Sequence, residues 1–137
     1  MATVALDTSV AVAHLARSHT HHDLVRRHLV AHQPCLTAHS LAETYSVLTR
    51  LPGDARLTAA DARRLIEANF PTVVGFPPET AERLHVVLSE RGISGGAVYD
   101  GLVALAALHA DLPLATRDVR AASTYMALAV RVELIPG

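Results

Sequence analysis

Lysine and tryptophan are both absent from this 137-residue chain, and cysteine occurs once, at Cys35. A lone cysteine excludes an intrachain disulfide and a thiolate zinc site, and is best read as a small buried hydrophobe. Aromatics are scarce: Tyr45, Tyr99, Tyr125, Phe70 and Phe76 are the whole set, and they offer no evident stacking platform for single-stranded bases. No apolar run reaches the roughly 18 residues that span a bilayer, and no basic segment precedes the apolar N-terminus. The expectation is a soluble, cytoplasmic protein with no membrane partner. A net charge of −1 argues against a strongly basic nucleic-acid binder.

Half of the residues are hydrophobic, enough for one domain spanning 1–137 with a core of its own. Short β-branched or apolar stretches at 3–6, 35–38, 72–76, 113–116 and 130–135 predict strands. Helices are predicted over 9–16, 24–31, 41–51, 58–70, 78–90, 96–110 and 119–128. Pro34 is expected to separate the second helix from the second strand, Thr58 to open a helix with Asp61 as its capping box, and Gly92 to close one. This alternation predicts an α/β fold, a three-layer α/β/α sandwich around a mostly parallel sheet.

Asp7, Glu43, Asp100 and Asp118 each fall where a predicted strand has ended or the next helix is beginning. In a parallel α/β sheet those positions share one edge, so acids distant in sequence meet in a single cleft. Each has a structural explanation as well. Asp7 and Asp118 suit helix N-caps, and Ser40 with Glu43 reads as a capping box. Asp100 resists such a reading, because it shares a helical face with Val103, Ala104, Ala107 and Leu108, where an unpaired carboxylate is costly. A divalent cation shared by all four acids explains the set. Hard oxygen donors favour Mg²⁺ or Mn²⁺, whose chemistry suits phosphodiester hydrolysis. Neutralising four of the 13 acids leaves nine against 12 arginines, a modest positive excess on the remaining surface.

The segments Leu-Asp-Thr-Ser-Val at 6–10, Glu43 early in a helix, Gly-Ile-Ser-Gly-Gly-Ala-Val-Tyr-Asp at 92–100 and Thr-Arg-Asp at 116–118 resemble the PIN-domain ribonucleases, and more closely the VapC-type toxins of toxin–antitoxin pairs. The resemblance spans the chain. It implies a Mg²⁺- or Mn²⁺-dependent endoribonuclease that arrests translation by cutting RNA, whether tRNA, rRNA or mRNA. It also implies a homodimer and a cognate antitoxin that occupies the cleft. By position, Asp7, Glu43, Asp100 and Asp118 would form the catalytic and metal-binding quartet, with Thr116 the hydroxyl before the last acid. Where family members often carry another acidic or polar residue after Thr-Arg-Asp, this chain has Val119, Arg120 and Ala121.

Rival readings fit less well. A receiver domain resembles a scheme that needs a lysine, which is missing. A haloacid-dehalogenase-type phosphatase usually has a second acid where Ser9 stands, and a dinucleotide site wants a glycine-rich turn after the first strand. A non-catalytic PIN-like binding module is the alternative from a different class, and the presence of all four acids favours the enzyme. His19, His21 and His22 lack the i, i+4 spacing of a helical zinc site, and His14, His85 and His109 are expected at helix surfaces or boundaries. Arg17, Arg26, Arg27, Arg117 and Arg120 are candidates for guiding RNA. The helical hairpin carrying Leu48, Leu51, Leu57, Leu65 and Ile66 either packs back on the sheet or offers a partner surface.

Overall fold

Strand β1 (Ala2–Leu6) lies at the middle of the sheet because both of its faces are apolar. Val4 and Leu6 point into one core and Ala5 into the other, and all three are fully buried. A computed structural model of the chain describes residues 1–136. Along the chain β1 is followed by α1 (Thr8–Leu15), α2 (His22–Leu29), β2 (His32–Thr37), α3 (Ala38–Leu48), α4 (Ala59–Asn69) and β3 (Val73–Val74). Then come α5 (Pro78–Glu82), α6 (Leu84–Glu90), α7 (Ala97–His109), β4 (Leu114–Thr116), α8 (Val119–Ala127) and β5 (Val132–Leu134).

The five strands are ordered β3-β2-β1-β4-β5 and every pairing is parallel, so the sheet is wholly rather than mostly parallel. One core joins Val4, Leu6 and Leu36 to side chains from α1, α2, α3 and α4, including Val10, Val25, Leu48 and Ile66. The other joins Ala5, Cys35 and Leu114 to side chains from α6, α7 and α8, including Leu88, Val103 and Tyr125. Helices thus cover both faces, as a parallel sheet requires. Leu48 and Ile66 of the α3–α4 hairpin are buried in the first core, with Leu51, Leu57 and Leu65 packed against it, so the hairpin folds back on its own sheet.

Four local expectations need correction. Pro34 does not separate helix from strand; it sits inside β2, opposite Val4 of β1. The Leu36 N–H points toward the β3 side, where it reaches Thr72 O. Pro34 has the same parity, and β3 pairs only with Leu36 and Thr37, so the missing proline N–H falls on an open edge. The strand expected at 72–76 contracts to Val73–Val74, since Gly75 and the Pro77-Pro78 pair leave little β-forming chain. The helix expected over 78–90 is broken at Arg83, whose φ of −116° and ψ of 15° lie outside the helical range, giving α5 and α6. At α4, Thr58 caps by accepting from Asp61 N–H, while the Asp61 carboxylate turns to Arg64 at 2.9 Å, leaving only half a capping box.

His14 was expected at a surface or boundary, and it is buried with its ring 5.7 Å from that of Phe70. Burial, helped by the nearby Arg26 and His22, pushes its pKa from 6.5 down to about 4. The unfolded chain therefore takes up a proton in this interval that the folded chain refuses, and stability falls as the pH drops from 6.5 toward 4. His14→Leu is expected to flatten this acid limb when urea midpoints are compared across it. An unchanged slope would remove His14 as a source of the acid sensitivity.

Candidate active site

Asp7 is positioned by the end of β1, where its N–H donates to Ala115 O of β4 at 3.1 Å. It is the N-cap of α1, accepting from Val10 N–H at 3.2 Å on Oδ1, so the capping role assigned from sequence is real. The same Oδ1 accepts the Ser9 hydroxyl at 2.6 Å, and Oδ2 accepts the Tyr125 hydroxyl at 2.9 Å. The residue is only 4% exposed. Burial raises its pKa above the ordinary 3.8, and the hydroxyls of Ser9, Thr116 and Tyr125 with Val10 N–H work against that rise. Tyr125 in turn has its pKa pushed up, by burial first and then by Asp7, so the phenol stays protonated and serves as a donor.

The other three acids stand further out. Asp100 is half-buried in the first turn of α7. Its pKa is raised first by burial and then by Asp7, Asp118 and Glu43, with His39 acting in the opposite direction. Glu43 is exposed on α3, where its Oε1 meets His39 Nε2 at 2.7 Å. The expected Ser40–Glu43 capping box is not formed. Thr37 caps α3 and its box partner is Ser40, which leaves the Glu43 carboxylate outside the cap. Asp118 is exposed and caps α8, accepting from Arg120 N–H at 2.9 Å and Ala121 N–H at 3.3 Å. Thr116, fully buried, accepts the Asp118 N–H at 3.0 Å and so fixes the turn that carries this acid.

All four acids line one cleft of about 170 Å³, together with Thr8, Ser9, Val103, Ala121 and Tyr125. It lies at the carboxyl end of β1 and β4, at the point in the sheet where the chain order reverses. Among the described residues no three His, Cys, Asp or Glu side chains stand ready to grip a metal ion directly. The chemistry of the lining nevertheless fits a hard divalent cation that keeps several of its waters. Among the described residues no arginine lines the cleft to balance its acids, Asp100 carries the repulsion of three carboxylates, and no described residue partners the buried Thr8 hydroxyl. A larger hollow of about 800 Å³ lies between α3 and α4. Its Arg63 and Glu67 pair with each other at 2.8 Å, and the rest of its lining is mostly apolar, so the clustered carboxylates are confined to the smaller cleft.

The PIN domain family matches residues 4–125. Ribonuclease VapC27 of Mycobacterium tuberculosis is 49% identical over 129 residues, which are 94% of each chain. The chain belongs to the PIN-domain family, among the VapC ribonucleases. Ribonuclease VapC40 of the same organism is 39% identical over 133 residues, covering 96% of this chain and 98% of that one. The fold is also that of VapBC-5 from Mycobacterium tuberculosis, a solved member of the VapBC toxin–antitoxin family, with a TM-score of 0.60, 24% identity and full coverage of both chains.

Two neighbours of the cleft in this VapC-family chain were missed as site residues by sequence reasoning. Tyr125 was counted only as an aromatic. Its signal is helical spacing, since it lies one turn beyond Ala121 on the α8 face that continues from the Asp118 cap. His39 lies one turn before Glu43 on α3, and that i, i+4 spacing was the available sign.

Tyr125→Phe keeps the ring and removes one donor to Asp7. RNA cleavage by the otherwise native variant is expected to fall about 10- to 100-fold, as for loss of a group that orients a ligand; wild-type rates would show that Asp7 needs no such support. Asp100→Asn is expected to raise the melting temperature of the metal-free protein, and the gain should widen as pH rises above the ordinary carboxyl value of 3.8. The sign follows from the raised pKa: the folded wild type holds a proton that it must give up, at a cost in stability, as pH increases. Paired melting curves check this, and a gain that shrinks toward neutral pH would contradict it.

Proposed function

We propose that this chain is a Mg²⁺- or Mn²⁺-dependent endoribonuclease, the toxin of a type II toxin–antitoxin pair that inhibits translation and is neutralised by a cognate antitoxin. The single observation that carries the reading is the convergence of Asp7, Glu43, Asp100 and Asp118 on one cleft, in a chain 49% identical to a named ribonuclease. The VapBC-5 likeness supports an antitoxin partner for a protein of this fold. The chain would work as one PIN domain over 1–137, as a homodimer in the cytoplasm. Among the described residues no helix is long and apolar enough to cross a membrane.

In this mechanism Asp7, Asp100, Asp118 and Glu43 would hold the cation. When bound there, a divalent cation supplies Lewis acidity at the phosphoryl oxygens and a more acidic water as nucleophile. The chain's own contribution is orientation. Ser9, Val10 N–H and Tyr125 fix both oxygens of Asp7, and Thr116 with the α8 N-terminus fixes Asp118. Prior placement of charged groups spares reorganisation when the transition state forms. Glu43 reaches the cleft from α3 while held by His39.

Purified, antitoxin-free protein is expected to cut total cellular RNA into discrete fragments with Mg²⁺ or Mn²⁺ and to leave it intact in EDTA. Asp7→Ala should lower the cleavage rate by roughly a hundredfold or more while circular dichroism reports an unchanged fold. A folded wild type that binds RNA and never cuts it would transfer the protein to the non-catalytic binding class.

A further inference from the structure

Four of the five aromatic side chains have a structural occupation. Tyr125 is buried and donates to Asp7, Phe70 is buried against His14, Phe76 packs on the second core, and Tyr45, 39% exposed, lines the apolar hollow between α3 and α4, away from the acidic cleft. Tyr99 is the exception. It stands in the first turn of α7, one residue before Asp100, and 58% of its surface is open.

One neighbour organises the Tyr99 ring. His39 of α3 lies 5.7 Å from it, centroid to centroid, with the ring planes only 15° apart. His39 is itself held by the 2.7 Å contact with Glu43. Two near-parallel rings are therefore carried by the same two packed helices, α3 and α7, that send Glu43 and Asp100 into the cleft. Tyrosine is suited to stacking, since only two side-chain torsions must be fixed when a ligand covers it.

We propose that Tyr99, backed by His39, is a stacking subsite for a nucleobase of single-stranded RNA adjoining the phosphodiester in the acidic cleft, a proposal that rests on the ribonuclease reading above. Every base has a π-face, so a tyrosine platform accepts RNA with little sequence preference. It holds the strand by a base while the acids act at its phosphate. The platform also favours unpaired RNA, because a base locked in a helix cannot turn its face to the ring.

The absence of tryptophan from the chain makes Tyr99→Trp a single-indole reporter. The full-length variant would be titrated in Ca²⁺ with an oligoadenylate strand and with an abasic ribose-phosphate strand of equal length. Oligoadenylate is expected to quench the indole and the abasic strand to leave it unchanged. By anisotropy, Tyr99→Ala should bind oligoadenylate about tenfold more weakly than wild type, Tyr99→Phe should restore binding, and the abasic strand should not distinguish the three. Equal affinity of wild type and Tyr99→Ala for oligoadenylate, or an indole unmoved by bound RNA, overturns the stacking role while wild-type cleavage leaves the nuclease standing. A change of oligomeric state in Tyr99→Ala without a loss of RNA affinity overturns it as well and assigns the ring to a protein interface. If the wild type neither binds oligoadenylate nor cleaves total RNA, the ribonuclease reading falls with it.

Discussion

Asp7 is a carboxylate buried at the carboxyl end of the central strand, and the arrangement around it follows from keeping it there. Burial alone favours its neutral form. Donors from three places work against that preference: Val10 N–H at the start of α1, the Ser9 hydroxyl beside it, and the Tyr125 hydroxyl from α8 on the opposite face of the sheet. Ser9 also accepts from Arg117 N–H at 3.0 Å, which joins the end of β1 to the turn after β4. The acid and its supports thus link both helical layers through the middle of the sheet.

The remaining acids belong to elements that this arrangement brings together. Asp118 is tied to β4 by Thr116, Glu43 comes from α3 in one layer, and Asp100 comes from α7 in the other. Their mutual repulsion is visible at Asp100, which feels all three of the others. Carboxylates gathered this way repel one another and cost stability, a cost that proteins commonly accept at functional sites. A cation binding the folded state alone returns stability by mass action, so ion binding and folding become linked.

The acids were legible because strand ends in a parallel sheet share an edge, and a strand-end aspartate can cap a helix and face the cleft at once. Asp7 and Asp118 do both. Glu43 was misread locally, since two overlapping Ser/Thr-x-x patterns compete at the start of α3 and Thr37–Ser40 forms in place of Ser40–Glu43. Pro34 was misread because a proline's tolerance in a strand depends on which neighbour its N–H would face, and that is decided by the short reach of β3. The burial of His14 arises from packing against Phe70, distant in sequence, and no local sequence pattern marks the break at Arg83. Tyr125 and Asp7 are 118 residues apart, and no local pattern reports such a pair.

On this reading the four acids Asp7, Glu43, Asp100 and Asp118 would form one cation site. Its most direct test is calorimetric titration of Mn²⁺ into the RNA-free protein below neutral pH, with Asp100→Asn alongside. The account predicts binding by the wild type accompanied by proton release, because the raised pKa values of Asp7 and Asp100 leave protons for the ion to displace. It also predicts much weaker binding by the variant. Wild type and Asp100→Asn binding Mn²⁺ alike, or neither binding it, would contradict the account.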